Sequence, residues 1–153
     1  MRVLLTGMSG TGKSTLVAEL RGRGFAAFDA DDDGYAVPGA DGRWSWRVEE
    51  VRGLLAQHRD QDVVFFAGCS EEQGRLPFER RVLLTAPETV LLERLRSRTT
   101  NPYGRSDRER AQVLADLREV EPLLRASADL VVDATEPVRA LADRVLAHVL
   151  GTS

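Results

Sequence analysis

The sequence predicts a three-layer α/β/α domain built on a five-stranded parallel sheet. Two observations predict it. Five short apolar runs alternate with segments of helical period along the chain, and the first run leads at once into a glycine-rich loop that opens a helix. Strands joined through helices run parallel, and a parallel sheet carries helices on both faces, so its strands read as nearly unbroken apolar runs. The 153 residues fit one domain, 1–153, of a size that buries most of its unfolded surface.

Taken in order, Val3-Leu4-Leu5-Thr6 is the first strand, closed by Gly7, and Ser14 to Arg21 carries helical spacing at Leu16, Val17 and Leu20. Gly22 and Gly24 end that helix. Phe25-Ala26-Ala27-Phe28 reads as a second strand running into Asp29, Asp31, Asp32 and Asp33, and Gly34 to Gly42 reads as loop. Val48, Val51, Leu54 and Leu55 mark one face of a helix, after which Val63 to Ala67 is a buried strand ending at Gly68. Arg81 to Thr85 is the fourth strand, followed by a helix with Val90, Leu91, Leu92 and Leu95 on its apolar face. Thr99 to Gly104 is rich in turn formers, and Ser106 with Glu109 forms the pattern of a capping box. The helix it opens is kinked or ended by Pro122. Leu130 to Asp133 is the fifth strand, and Pro137 to Leu150 is a closing helix.

Composition narrows the function classes. A formal charge of −3 gives no sign of a polyanion-binding surface, so nucleic acid is not an expected partner. No apolar run approaches the ~20 residues needed to cross a bilayer, and Met1-Arg2 leads straight into a strand pattern, so a cytoplasmic protein without membrane contact is expected. The single cysteine, Cys69, makes no intrachain disulfide and reads as a small buried residue at a strand end. Lysine usage says more: of 21 basic residues one alone, Lys13, is lysine. A chain drifted toward arginine keeps a lysine where a compact ammonium is needed and a planar guanidinium does not fit.

That lysine lies in Gly7-Met8-Ser9-Gly10-Thr11-Gly12-Lys13-Ser14, which satisfies the phosphate-loop pattern G-x-x-x-x-G-K-[ST] at every fixed position. The motif follows the first strand and opens the first helix, where unpaired N–H groups and the helix dipole attract an anion. Gly7, Gly10 and Gly12 let the backbone curl around phosphate, and Thr11 and Thr15 flank the contact. Lys13 is expected to reach the β and γ oxygens of ATP, and Ser14 to ligate Mg²⁺. A guanine-reading Asn-Lys-x-Asp element is excluded, because the one lysine is in the loop. The third strand ends Phe66-Ala67-Gly68 without the carboxylate that motor and transporter ATPases place beside the loop.

The whole pattern, from Met1 to about Leu150, resembles the phosphate-loop kinases of the adenylate, shikimate and gluconate kinase type. The resemblance implies a P-loop NTPase fold with a small lid and a single kinase domain that transfers the γ-phosphoryl group of ATP to a hydroxyl or phosphate of a small acceptor. In that family the second strand often ends in Asp-x-Asp beside the γ-phosphate. Asp29-Ala30-Asp31 stands in that place. The resemblance makes one carboxylate a partner of the Mg²⁺ water shell and the other the group that orients or deprotonates the acceptor. Asp31 is taken with Ser14 as the metal partner, while which of Asp29 and Asp31 has which role stays open. Trp46-Arg47-Val48-Glu49-Glu50 is similar to the aromatic-Arg-x-x-Glu at the start of the acceptor-binding helix of shikimate kinase. It implies an acceptor site of Arg47, Tyr35, Trp44, Trp46 and Gly68. Arg98 and Arg105 flank the lid-like segment at the spacing seen between an arginine stacking on adenine and one reaching the transferred phosphate, with Arg94 an alternative for the stacking role. Asp133 to Pro137 resembles the adenine-side loop, which brings in Thr135 and Pro137.

Two departures bear on the acceptor. The position of the family's carboxylate-binding arginine, two residues before Pro122, is Val120, and the turn Gly68-Cys69-Ser70 keeps only its first glycine. Both point away from shikimate and leave a nucleoside or nucleotide, a sugar-like polyol or a natural product. The expected assembly is a monomer or weak dimer. The reading from another class is an ATP-binding or ATP-hydrolysing switch with no small acceptor.

Overall fold

The computed structural model describes residues 1–8, 10–38, 44–58, 60, 63–97 and 107–151. Its main sheet has five parallel strands: β1 (Arg2–Thr6), β2 (Ala26–Asp29), β5 (Val64–Ala67), β6 (Arg80–Thr85) and β7 (Leu130–Asp133). They lie in the order β2-β5-β1-β6-β7. The helices are α1 (Lys13–Gly22), α2 (Val48–Gln57), α3 (Glu88–Ser97), α4 (Asp107–Glu119), α5 (Glu121–Ser127) and α6 (Val138–Leu150). The five predicted strands and the layered architecture are therefore present.

Alternation along β1 shows why the sheet is covered twice. Val3 and Leu5 point into a core shared with Leu16, Val17 and Leu20 of α1 and with Leu141, Val145 and Val149 of α6. Leu4, between them, points the other way, into a core with Phe66 and with Val51, Leu54 and Leu55 of α2. Successive side chains of a strand face opposite ways, so an unbroken Val-Leu-Leu run is stable only when both faces are packed. A third cluster, Met8, Leu83, Leu91 and Leu124, closes the second face under α3 and α5.

The topology fixes where chemistry can sit. After β1 the chain crosses to β2 on one side, and after β5 it crosses over β1 to β6 on the other. Crossovers that diverge from one strand leave a crevice at its carboxyl end, the usual ligand site of an open α/β sheet. Gly7 and the loop after it occupy that crevice.

Three features depart from the sequence reading or refine it. The segment read as loop from Gly34 to Gly42 contains a strand, β3 (Ala36–Pro38), paired antiparallel with β4 (Trp44–Trp46) through Ala36↔Trp46, Val37↔Ser45 and Pro38↔Trp44. Three-residue strands with a proline at one end give no readable alternation, and such a hairpin is stable only against a packed neighbour. A 3₁₀ turn (Glu71–Arg75) also follows β5. The helical stretch before β7 breaks at Val120, with Pro122 in the first turn of α5, where its missing N–H costs nothing. Arg98, the Thr99 to Gly104 lid segment, Arg105 and the Ser106 cap lie outside the described residues.

Phe65 is fully buried and meets Phe25 edge-on, ring centres 5.9 Å apart. Phe65→Ala should lower the unfolding free energy by about 3–5 kcal/mol. Urea unfolding checks it: a loss under ~1 kcal/mol would mean this face is not the main core.

Candidate active site

The phosphate loop is built by its glycines. Gly7, Gly10 and Gly12 have φ of 153°, 90° and 88°, and Gly12 caps the N-terminus of α1 in the left-handed conformation. Gly7 is constrained twice, because a Cβ there would lie 2.5 Å from the carbonyl oxygen of Leu84 on β6. The loop thus rests directly on the neighbouring strand. Thr11 is buried and donates its hydroxyl to the Met8 carbonyl at 2.9 Å, pinning the curl from inside. Lys13 Nζ donates to the Gly7 and Met8 carbonyls at 2.6 and 3.1 Å, so its ammonium stands at the mouth of the loop.

Beside it, Ser14 Oγ donates to Asp29 Oδ2 at 2.7 Å. Asp29 is 4% exposed, and its other oxygen accepts the N–H groups of Asp31 and Asp32 at 2.9 and 3.1 Å. Of the Asp29–Asp31 pair, whose division of roles the sequence left open, it is Asp29 that meets the Ser14 hydroxyl. The last strand residue points along the sheet edge to the loop, whereas Asp31, two residues on, sits in the exposed turn.

The aromatic residues take unequal places. Trp46 is 6% exposed and meets Phe66 edge-on at 5.2 Å, and Tyr35, half-buried, meets the same ring at 5.6 Å. Trp46 is thus first a core residue supporting the hairpin, and the Trp44 side chain lies outside the described ones. Gly68 is required by this packing, since a Cβ there would fall 2.7 Å from the Trp46 ring. Arg47 is exposed, pairs with Glu50 at 3.3 Å, and its backbone N–H bonds the Tyr35 carbonyl at 2.7 Å. Cys69 is exposed rather than buried, because β5 ends at Ala67 and the buried residue of the turn is Gly68.

Sequence reasoning missed the cluster that holds the hairpin. Glu72 Oε2 accepts the Trp46 N–H at 3.1 Å and the Ser70 hydroxyl, while Gln73 Oε1 accepts the Ser70 N–H at 3.2 Å and the Thr6 hydroxyl at 3.4 Å. The signal was present as the capping box Ser70-x-x-Gln73, hidden by the brevity of its 3₁₀ turn. Burial opposes ionisation of Glu72, yet the bonds from Ser70 and from the Trp46 N–H outweigh it and hold the carboxyl below its ordinary value.

On the far side of the loop a cavity of about 470 Å³ opens. One wall is Gly10, Thr11, Gly12 and Thr15; the other is Ala134, Glu136, Val138 and Leu141. Arg94 bridges the two, donating to the Gly10 carbonyl at 3.1 Å and the Ala134 carbonyl at 2.8 Å. Thr135 and Pro137, expected on this side, lie in the same stretch of chain, alternating with the lining residues Ala134, Glu136 and Val138. Thr135 donates its hydroxyl (2.6 Å) and N–H (2.9 Å) to Asp133 Oδ1, which holds the Asp133 carboxyl below the usual range. Pro137 is exposed and starts α6.

A loop shaped for a polyphosphate, an acid turn on one side and a lined cavity on the other define a nucleotide-dependent phosphotransferase. The AAA domain family model matches residues 3–115. Across 98% of its length the chain is 31% identical to a shikimate kinase of Halorhodospira halophila (strain DSM 244 / SL1), covering 94% of that protein. In fold it is similar to an unliganded sugar kinase from Janibacter sp. HTCC2649 (TM-score 0.66, 21% identity, 99% of this chain and 95% of that one). A shikimate kinase from Acinetobacter baumannii in complex with shikimate is also similar (TM-score 0.64, 19% identity, 99% and 94%). The chain belongs to the AAA domain family and, within it, is a P-loop kinase related to shikimate kinase, an ATP-dependent enzyme acting on a small molecule.

The Glu72 clamp is open to direct measurement. A depressed carboxyl pKa contributes stability above the unfolded value, about 4.3, that is lost as pH falls through the folded value. Tryptophan emission should therefore shift in acid below about pH 4 as the hairpin loses its anchor, and Glu72→Gln should abolish that step. Identical emission profiles in the two proteins would show that Glu72 does not hold the hairpin.

Proposed function

We propose that the chain transfers the γ-phosphoryl group of Mg²⁺·ATP to a hydroxyl of a polyol-like small acceptor bound between the acid turn and the β3–β4 hairpin. The observation that supports it best is the Ser14–Asp29 hydrogen bond at 2.7 Å, which sets the phosphate loop and the acid turn side by side. An enzyme that only hydrolysed ATP would have no need of an acceptor-orienting carboxylate such as Asp31 beside the loop.

The donor set suits Mg²⁺: a hydroxyl and a carboxylate, both hard oxygen ligands, beside a loop built for phosphates. Bound with the triphosphate, the ion neutralises charge on the β and γ oxygens. In this reading Ser14 and Asp29 orient the metal and its water shell. Lys13 swings from the Gly7 and Met8 carbonyls onto the phosphates. Asp31, in the exposed turn, accepts the hydrogen bond of the acceptor hydroxyl and takes its proton as the oxygen attacks. Arg105 stabilises charge on the transferred group, and Arg98 stacks on adenine, as the resemblance implies. Arg47, Tyr35, Trp44 and Gly68 line the acceptor site, and Trp46 supports it from the core.

The residue at position 120 argues against shikimate as the acceptor. Val120 occupies the place of the carboxylate-binding arginine, and in this fold it packs against the Met8-Leu83-Leu91-Leu124 cluster and offers no cation. The acceptor is then a neutral polyol, a nucleoside or a hydroxylated natural product, for which the relatives that act on shikimate or a sugar set the size. A monomer or weak dimer in the cytoplasm completes the proposal; among the described residues no helix is long and apolar enough to cross a membrane.

A panel of polyols, sugars, nucleosides and aminoglycosides incubated with Mg²⁺·ATP should contain one class that drives ADP release and appears as its monophosphate by mass. With that acceptor, Asp31→Asn should lower kcat about 10²-fold or more and leave ATP affinity within a few-fold. ADP release that no member of the panel stimulates, or full transfer by Asp31→Asn, would sink the assignment.

Lys13→Arg tests the loop separately. The guanidinium does not fit among the phosphate oxygens, so transfer should fall by about two orders of magnitude with unfolding unchanged. Wild-type kinetics in Lys13→Arg would contradict the role given to the lysine.

A further inference from the structure

β2 lies at the edge of the sheet, and β5 is its one strand partner among the described residues. On its other side two side chains do the work of a strand. Arg21, in the last turn of α1, donates its Nε–H to the Ala27 carbonyl at 2.6 Å, and Asp33 Oδ2 accepts the Asp29 N–H at 2.7 Å. The two are joined in turn. Arg21 Nη2 donates to the same Asp33 oxygen at 2.6 Å, with the guanidinium carbon 5.9 Å from the centre of the Phe28 ring. An edge that another strand or solvent would cover is here closed by an ion pair.

The pair is a poor source of stability and a good source of position. Its side chains are 45% and 29% exposed, and an ion pair so open to water contributes little to folding. What it grips is the residue that meets Ser14. Asp33 holds the Asp29 backbone on both sides, since its own N–H donates to the Asp29 carbonyl at 2.9 Å while its carboxylate takes the Asp29 N–H. Asp29 is the last residue of β2, and the end of a short edge strand is where local opening costs least. α1 therefore reaches this strand end twice: through Ser14 to the Asp29 side chain, and through Arg21, about two turns on, to Asp33 and the Asp29 backbone.

Mg²⁺ tolerates little departure from octahedral geometry, so a carboxylate that serves it must be held still. We propose that Asp33, gripped by Arg21, is a positioning residue for the metal: it fixes the end of β2 so that the Asp29 carboxylate stays beside Ser14 when Mg²⁺ binds with the triphosphate. This rests on Ser14 and Asp29 as the metal's partners and adds the residues that keep Asp29 in place.

Calorimetric titration with the non-hydrolysable analogue AMP-PNP, once with Mg²⁺ and once with EDTA, tests the proposal without the acceptor. The ratio of the two affinities is the gain from the metal, and it is read within one protein, so a partly folded variant does not distort it. Wild type should bind more tightly with Mg²⁺, and Asp33→Ala should cut that gain about five-fold or more while leaving binding in EDTA within about two-fold. Asp33→Asn, whose amide oxygen can still accept both bonds, should restore most of the gain. Arg21→Met, which keeps an apolar stem beside Phe28 and removes the donors, should lower it. In the ligand-free protein the Asp31 and Asp32 amide hydrogens, bonded to the Asp29 carboxylate, should exchange faster in Asp33→Ala than in wild type. A metal gain left intact by Asp33→Ala, losses of equal size with and without Mg²⁺, or unchanged exchange would each overturn the proposal while the Ser14–Asp29 reading stood. An intact gain in Arg21→Met would overturn the part given to Arg21. A wild type that gains nothing from Mg²⁺ would remove the metal reading and this one with it.

Discussion

The structure depends on one buried carboxylate. Asp29 ends β2 at 4% exposure and accepts hydrogen bonds from Ser14, Asp31 and Asp32, while its own N–H donates to Asp33 at 2.7 Å. A carboxylate out of water is costly unless its oxygens are met, and here both are. Meeting them ties three pieces together: the first turn of α1, the end of β2 and the turn that carries Asp31. The phosphate loop and the acid turn cannot shift relative to each other without breaking a bond to Asp29.

The remaining constraints follow from packing the loop onto the sheet. Gly7 touches the backbone of β6, and Arg94 ties the loop's Gly10 carbonyl to Ala134 at the end of β7. The loop is thus held from two sides, by Asp29 toward the acid turn and by Arg94 toward the cavity. A rigid loop presents its N–H groups already aimed, so little ordering is left for the moment of binding. The hairpin is held more lightly, by Phe66 beneath it and by the Glu72 clamp at its edge.

Much of this was legible in the sequence. The Val3 to Ser14 stretch names both the strand and the loop, because phosphate binding needs that glycine spacing and that lysine, and five apolar runs separated by helices leave few other architectures. The hairpin was not legible, since Ala36–Pro38 and Trp44–Trp46 are too short to show a period, and what stabilises them, Phe66 and Glu72, lies far along the chain. Asp29 and Asp31 were visible as a pair, but only the direction of the last strand residue decides which one meets Ser14. Glu136 was visible only as a member of the Asp133 to Pro137 loop, and nothing in its sequence neighbours reveals that Arg144, about two turns into α6, pairs with one of its oxygens.

The central claim is that Ser14 and Asp29 act as one unit in holding Mg²⁺·ATP beside the acid turn. A double-mutant cycle of Ser14→Ala and Asp29→Asn, read as Mg²⁺·ATP affinity, measures it directly. Residues that share one network are non-additive, and the account predicts a coupling of about 1–3 kcal/mol, with the double variant losing little more than the worse single one. Losses that add within about 0.5 kcal/mol would contradict it.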